Sequence, residues 1–148
     1  MATEFNFAVP HKVFVSHAKS DDHELLSRLK AEIRALFTMS KVTLGYDDYG
    51  NFGIGSSWEG WQRSVACGLE YGTTNPRYDT FVTVNPVLGK SSYGILALAL
   101  ENGKDCFYYD SKNKSIHRVY NIDLIRNGES WVSYGVVDTN DPAYLGQH

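Results

Sequence analysis

The stretch YDTFVTVNPVLGKSSYGILALALENGKDCFYYD, residues 78–110, decides the fold class of this sequence. It begins with a β-branched and aromatic run, continues with an apolar segment of helical character, and ends with a second aromatic run. The apolar segment is followed by Gly103, and glycine typically stops a helix. We therefore predict a strand at 78–85, a helix at 92–102 and a strand at 106–110, which together form a parallel β-α-β unit.

The residues before this unit repeat the same alternation. KVFVS at 12–16 predicts a short strand, and a helical face of leucines follows it. VTLGYD at 42–47 predicts a second strand, after which a glycine-rich loop leads to a helix that starts at Ser56. The resulting order, β-α-β-α-β-α-β, is typical of an α/β protein of flavodoxin-like or Rossmann-like three-layer architecture with a mainly parallel sheet.

The pattern changes after residue 110. SKNK predicts a turn, SIHRVYNIDLI follows it as a strand-like run, and Asn127-Gly128 predicts a second turn before WVSYGVVD. We therefore expect an antiparallel C-terminal extension of the sheet. The chain is interpreted as a single domain over residues 1–148, with a loose tail from about residue 139.

Composition excludes several classes of partner. A net charge of −3 and a pI of about 5.9 do not favour nucleic acid or an anionic membrane, and no apolar run is long enough to span a bilayer. Cys67 and Cys106 are interpreted as reduced thiols of a cytoplasmic protein, with a single disulfide as the alternative. The histidines and cysteines show no metal-ligand spacing, so we predict neither a metal nor a resident cofactor.

The candidate site follows from the predicted sheet, because ligands of open α/β sheets bind outside the carboxyl ends of the strands. Helix starts at that edge favour anions, which suits a phosphate-bearing ligand. Two alternatives to ligand binding stay open. In the first, the glycine-rich loop is only a turn, and in the second, His17, which follows the first predicted strand, is hydrogen-bonded within its own loop. The residues predicted to contact a nucleotide-type small molecule are Ser16, His17, Tyr46, Asp48, Gly53, Gly55, Ser56, Ser57, Ser91, Ser92 and Tyr93.

Three carboxylates lie within reach of this edge. Asp47 and Asp48 end the second predicted strand, where either one bonds a sugar hydroxyl or caps a turn. Glu59 has a complete structural explanation in the capping box that it forms with Ser56. Glu101, in the last turn of the third predicted helix, should lie at the opposite edge of the sheet, far from a ligand.

Parts of the sequence resemble a known superfamily. KVFVSHAKSDDHELLSRLKAEI at 12–33 resembles the opening of a TIR domain, and GSSWEGWQRSVACGL at 55–69 resembles its G-x-x-W segment and following helix. Residues 78–110 resemble the later strands and helix of TIR domains. They equally resemble nucleoside 2-deoxyribosyltransferases, whose A-x-x-x-G-K pattern matches Ala99, Gly103 and Lys104. The resemblance covers roughly residues 12–110.

The resemblance implies chemistry at an N-glycosidic bond, because TIR enzymes cleave or cyclise NAD and the transferases exchange bases on deoxyribose. Both use a glutamate on the helix that corresponds to residues 92–102, where a carboxylate stabilises or captures an oxocarbenium-like sugar centre. Here Ala97 or Ile95 occupies that position, depending on the alignment. Another acid would have to act, and Asp47 and Glu59 are the predicted catalytic residues, with Asp48 a further candidate.

Three functions remain open. The first is an N-glycosidase or ribosyltransferase that acts on NAD or a nucleoside. The second is a non-catalytic protein that binds a nucleotide-derived ligand, and the third is a TIR-like interaction module whose tyrosines and tryptophans form a homo-oligomer interface. The absent glutamate favours the second and third functions, while the polar edge favours a ligand.

Overall fold

The computed structural model describes residues 5–17, 23–49, 58–84, 90–121 and 131–135. Within these ranges the chain forms helices and strands in an alternating order that gives way to strands alone. The strands are β1 (Lys12–Ser16), β2 (Lys41–Leu44), β3 (Thr80–Thr83), β4 (Asp105–Asp110), β5 (Ser115–Val119) and β6 (Trp131–Gly135). The helices are α1 (His23–Leu36), α2 (Gly45–Tyr49), α3 (Trp58–Ala66) and α4 (Lys90–Glu101).

The strands form one six-stranded sheet in the order β2-β1-β3-β4-β5-β6. The pairs β1–β2, β1–β3 and β3–β4 are parallel, whereas β4–β5 and β5–β6 are antiparallel. This confirms the predicted α/β architecture, a mainly parallel sheet with an antiparallel C-terminal extension. β2 lies on one side of β1 and β3 lies on the other, so the strand order reverses between β1 and β3.

Two hydrophobic clusters lie on opposite faces of the sheet, as the alternation of side chains along a strand requires. On one face Val13 and Val15 of β1 pack in the cluster that contains Leu29 and Ile33 of α1. On the other face Phe14 packs in the cluster that contains residues of α3 and α4. The helices therefore cover both faces, and the sheet is the middle of three layers.

The segment before β1 completes the layer formed by α1. Phe5 and Phe7 are buried and contact each other at a ring-centroid distance of 4.8 Å. Phe5 also lies 4.8 Å from the ring of Phe107 in β4 and 5.8 Å from that of Phe37, which follows α1. These edge-to-face contacts extend the core beyond α1 toward the antiparallel strands.

The second predicted strand is shorter than expected. β2 ends at Leu44 and the chain turns at once into α2, so Asp47 and Asp48 lie in a helix and the prediction of a strand through Asp47 is wrong. Gly45 explains the tight turn, since a Cβ there would meet the Phe14 ring at 3.0 Å and the carbonyl oxygen of Val15 at 3.2 Å. Glycine fits this close approach without displacing either neighbour.

The βαβ unit matches its prediction closely. β3 is shorter than predicted, α4 starts two residues earlier than Ser92, and β4 begins at Asp105. Gly103 adopts a φ of 71°, which confirms that it ends the helix in the left-handed conformation. The predicted helix start at Ser56 and the predicted tail from residue 139 lie outside the described residues.

Cys67 and Cys106 are both free thiols, and Cys106 is buried in β4. Burial raises the pKa of the Cys106 thiol far above its usual range, so this side chain acts as a small apolar group in the core. None of the helices in the described ranges is long and apolar enough to cross a membrane.

Candidate functional site

A row of polar residues crosses the sheet where the parallel strands end. Strand register pairs Ser16 of β1 with Thr83 of β3, Thr83 with Tyr108 of β4, and Tyr108 with His117 of β5. Paired residues of neighbouring strands present their side chains on the same face, which here is the face covered by α3 and α4. We call Ser16, Thr83, Tyr108 and His117 the polar row.

Thr83 is the most informative member of the polar row. Its side chain is 1% exposed, and its Oγ1 forms no hydrogen bond with any part of the chain that the structure describes. A buried hydroxyl without a partner costs about 1–3 kcal/mol of stability, so such groups are rare in folded proteins. Thr83 therefore carries an unused donor and acceptor beside the buried Ser16, at the point where the strand order reverses.

Tyr108 and His117 provide an uncharged wall on the other side of Thr83. Their rings stack at a centroid distance of 5.6 Å with an interplanar angle of 17°. Burial lowers the pKa of His117, although the charge of Asp110 opposes this effect, and burial together with Asp110 raises the pKa of Tyr108. Both rings are therefore neutral at pH 7, which suits stacking and hydrogen bonding.

The amino end of α4 lies at the same edge of the sheet. A helix that connects two parallel strands runs antiparallel to them, so α4 begins at the edge where β3 ends and finishes where β4 begins. Ser91, Ser92 and Tyr93 occupy the first turn of α4 after Lys90. The fold thus brings this predicted ligand-binding segment to the end of the sheet that carries Ser16 and Thr83.

Glu101 is the last residue of α4 and is exposed. At a rise of about 1.5 Å per residue, it lies roughly 16 Å along the helix axis from Lys90. The positions aligned with the glutamate of TIR domains and transferases hold Ala97, which is partly buried, and Ile95, which is 4% exposed in the core. Within its described side chains, α4 therefore brings no carboxylate to the carboxyl edge of the sheet.

Asp48, which was predicted to bind a ligand, lies in a buried cluster of polar side chains. Its side chain is 5% exposed, and its carboxylate accepts hydrogen bonds from the Trp61 indole at 2.8 Å and the Tyr78 hydroxyl at 2.7 Å. The guanidinium of Arg77 completes an ion pair with it at 3.0 Å. This Asp48 cluster ties α2 to α3 and to the segment before β3, so the carboxylate is already engaged by the protein.

Asp47 and Glu59, the predicted catalytic acids, are both exposed, Asp47 in α2 and Glu59 near the start of α3. His17 follows β1 and is partly buried, and Tyr46 lies in α2. The other four predicted contacts lie outside the described residues, and they are Gly53, Gly55, Ser56 and Ser57. The catalytic and ligand-binding assignments of all these residues stay predictions.

The sequence-based prediction included Ser16 of the polar row and did not include Thr83, Tyr108 and His117. The available signal was the alternation of TFVT, which puts Thr83 on the face of Phe81, but the neighbours of Thr83 depend on strand order. Among the residues that the structure describes, no cluster of three or more His, Cys, Asp or Glu side chains is arranged to hold a metal ion.

Comparisons with protein families, with curated proteins and with solved structures found no match to this chain. The fold defines the class of this protein, which is an α/β protein with a mainly parallel sheet in a three-layer arrangement.

Proposed function

We propose that this protein recognises a nucleotide- or nucleoside-derived ligand at the carboxyl ends of β1 and β3. The observation that carries the proposal is the buried, unpartnered hydroxyl of Thr83 among the residues that the structure describes, directly beside Ser16 at the strand-order reversal. Ligands of open α/β sheets bind in the crevice at such a point. A hydroxyl that lacks a protein partner there is available to a ligand.

The surrounding groups favour a sugar or base over a bare anion. Tyr108 and His117 are neutral, so these two members of the polar row add no charge to this edge of the sheet. The first turn of α4 lies at the same edge, and free N–H groups of a helix start stabilise a phosphate. Together these features support a ligand that combines a polar ring system with a phosphate group.

Catalysis of the type used by TIR enzymes and deoxyribosyltransferases is not part of the proposal. That chemistry needs a carboxylate close to the sugar centre, and α4 carries Ala97 and Ile95 at the aligned positions. The interaction-module alternative has little support from the described surface. Its exposed large hydrophobic side chains are Met39, before β2, and Tyr120, after β5. Four strand spacings of about 4.8 Å separate β2 from β5, so these side chains do not form one patch.

Isothermal titration with NAD, ADP-ribose, cyclic ADP-ribose and deoxynucleosides tests the proposal. We expect saturable binding of at least one of them, weakened about tenfold by Thr83→Val, which removes one hydrogen bond to the ligand. Thr80→Val is the matched control, because Thr80 is buried in the same strand on the opposite face. Absence of binding at millimolar concentration, or equal binding by the Thr83 variant, contradicts the proposal.

Chromatography of the same mixtures measures release of free base. We expect none from NAD or from a deoxynucleoside, because the helix lacks the required acid. Base release would instead indicate an N-glycosidase or ribosyltransferase. In that event Asp47→Asn and Glu59→Gln would test the two predicted catalytic acids one at a time.

A further inference from the structure

A cavity of about 290 Å³ lies at the amino ends of the strands, at the opposite edge of the sheet from the polar row. Lys12 and Lys41, the first residues of β1 and β2, line it together with Arg77 and Tyr78, which lie two to three residues before β3. Three of these four side chains are cationic. The function proposed above makes no use of any of them.

Lys12 and Lys41 are exposed side chains of like charge on neighbouring strands. They are direct partners in the parallel register of β1 and β2, so their side chains leave the same face of the sheet next to one another. Like charges placed directly opposite each other on neighbouring strands destabilise a sheet. Neither ammonium forms an ion pair with a carboxylate of the described ranges. An anion between the two lysines would relieve this repulsion.

Arg77 is held in a fixed position at the wall of the cavity. Its guanidinium pairs with the buried Asp48 at 3.0 Å and lies 5.6 Å from the centroid of the Tyr78 ring. These contacts fix the planar group, while its 34% exposure leaves part of it open to the cavity. A guanidinium has five N–H donors in a rigid fork that matches the oxygens of a phosphate.

The remaining lining keeps the cavity positive overall. Glu70 is the one acidic residue that lines it, and its carboxylate accepts a hydrogen bond from the side chain of Asn75 at 3.3 Å. Since Arg77 is already paired with Asp48, the charges of Lys12 and Lys41 leave an excess of one positive charge over Glu70. The Thr43 hydroxyl is hydrogen-bonded to the Tyr78 hydroxyl and adds a polar group to the wall of the cavity.

We propose that this cavity binds the phosphate group of a small molecule between Lys12, Lys41 and Arg77. Its volume is at the lower end of the range found for small-molecule sites, which suits a phosphate ester of few atoms better than a dinucleotide. The site is separate from the polar row, because the two lie at opposite ends of the strands. The chain would then hold two ligands at once.

The test is isothermal titration at constant ionic strength with inorganic phosphate and with phenyl phosphate. We expect saturable binding of at least one probe, weakened about tenfold by Lys41→Met and likewise by Lys12→Met, because each removes one charged partner of the phosphate. Lys112→Met is the matched control, since this exposed lysine lies in the turn between β4 and β5 and its replacement changes the net charge equally. We expect the control to bind as the wild type does.

The two probes also separate two sources of the anion. Tighter binding of phenyl phosphate indicates a phosphate ester as the occupant, and equal binding indicates the free anion. The proposal is overturned if neither probe saturates below about 10 mM, or if Lys112→Met weakens binding as much as Lys41→Met. Thr83→Val should leave phosphate binding unchanged, which distinguishes failure at this cavity from failure at the polar row.

Discussion

The indole N–H of Trp61 donates a hydrogen bond of 2.8 Å to the buried carboxylate of Asp48. The same carboxylate accepts from the Tyr78 hydroxyl and pairs with Arg77, so one side chain of α2 satisfies three donors from other elements. A buried charge is tolerated only where it is paired and hydrogen-bonded in this way. The Asp48 cluster is therefore a structural link between helices and sheet.

Asp48→Ala should destabilise the protein by about 2–4 kcal/mol, because it leaves the Trp61 and Tyr78 donors unpaired. The lower part of that range applies if water reaches the half-exposed Arg77. Urea unfolding measures the loss, and Asp47→Ala is the matched control. Asp47 is exposed in the same helix, so we expect it to cost less than about 1 kcal/mol. Equal losses in the two variants would show that the cluster does not stabilise the fold.

Gly68 and Gly72 make a second matched pair, since both have positive φ angles, 75° and 77°. A Cβ on Gly68 would lie 2.2 Å from the carbonyl oxygen of Tyr78, whereas one on Gly72 would meet nothing within 4 Å. Gly72→Ala should cost only the left-handed conformation, about 1–2 kcal/mol. Gly68→Ala adds a backbone clash and should cost at least about 2 kcal/mol more. Thermal unfolding of both variants measures the difference, and equal losses would contradict the clash with Tyr78.

His11 joins the N-terminal segment to the start of the sheet. Its Nε2 donates to the backbone carbonyl of Asn6 at 2.7 Å, and its Nδ1 lies 3.2 Å from Asp79. Burial lowers the pKa of His11, but these hydrogen bonds and the charge of Asp79 outweigh burial and raise it above 6.5. For Asp79 the effects have the opposite sign. Burial raises the pKa of its carboxyl group, but the hydrogen bonds that it accepts from His11, Thr80 and Lys12 outweigh burial and lower the pKa overall.

The two shifts set a pH window for the pair. The contribution of His11 is fully present below about pH 6.5 and is lost as the pH rises through its higher folded-state pKa. That of Asp79 is present above about pH 4 and is lost as the pH falls through its lowered pKa. The pair should contribute less than about 1 kcal/mol, because Asp79 is 53% exposed. Urea unfolding of His11→Gln, Asp79→Asn and the double variant at pH 5.5 and 8.5 gives the coupling, which should shrink at the higher pH.

Local patterns account for most of the architecture. The strand, helix and strand within residues 78–110 could be predicted, because each segment has the periodicity of its element and ends at a residue that typically stops it. The strand interpretation of VTLGYD failed at Gly45, since its tight approach to Phe14 and Val15 is a tertiary contact that no local pattern encodes. Propensity is overridden where the chain must turn against an already packed strand.

The candidate sites were harder to predict because they depend on strand order. Ser16 and Thr83 are far apart in sequence, and so are Lys12 and Lys41, yet the register makes neighbours of each pair. The ring of Trp61 packs in the apolar cluster formed with α4, but the hydrogen-bond partner of its N–H comes from another element. Pairing across the sheet therefore determines the sites, while local periodicity determines the elements.

Thr80 and Thr83 give the last prediction, in which one substitution has opposite effects at two positions of β3. Both threonines are buried, at 0% and 1% exposure, but on opposite faces of the strand. Thr80 Oγ1 donates a hydrogen bond of 2.6 Å to Asp79 Oδ1, whereas Thr83 Oγ1 has no partner in the described ranges. Valine keeps the β-branched shape and removes only the hydroxyl.

Thr80→Val should destabilise the protein by about 1–2 kcal/mol, because it removes a hydrogen bond to a charged group. Thr83→Val should be neutral or stabilising by about 1 kcal/mol, because it replaces an unsatisfied buried hydroxyl with a methyl group that the core accepts. Urea unfolding without ligand measures both changes. A Thr83 variant that is more stable yet binds the nucleotide-type ligand less tightly would show that stability is given up at this position for recognition. A Thr83 variant destabilised as much as the Thr80 variant would mean that its hydroxyl has a structural partner.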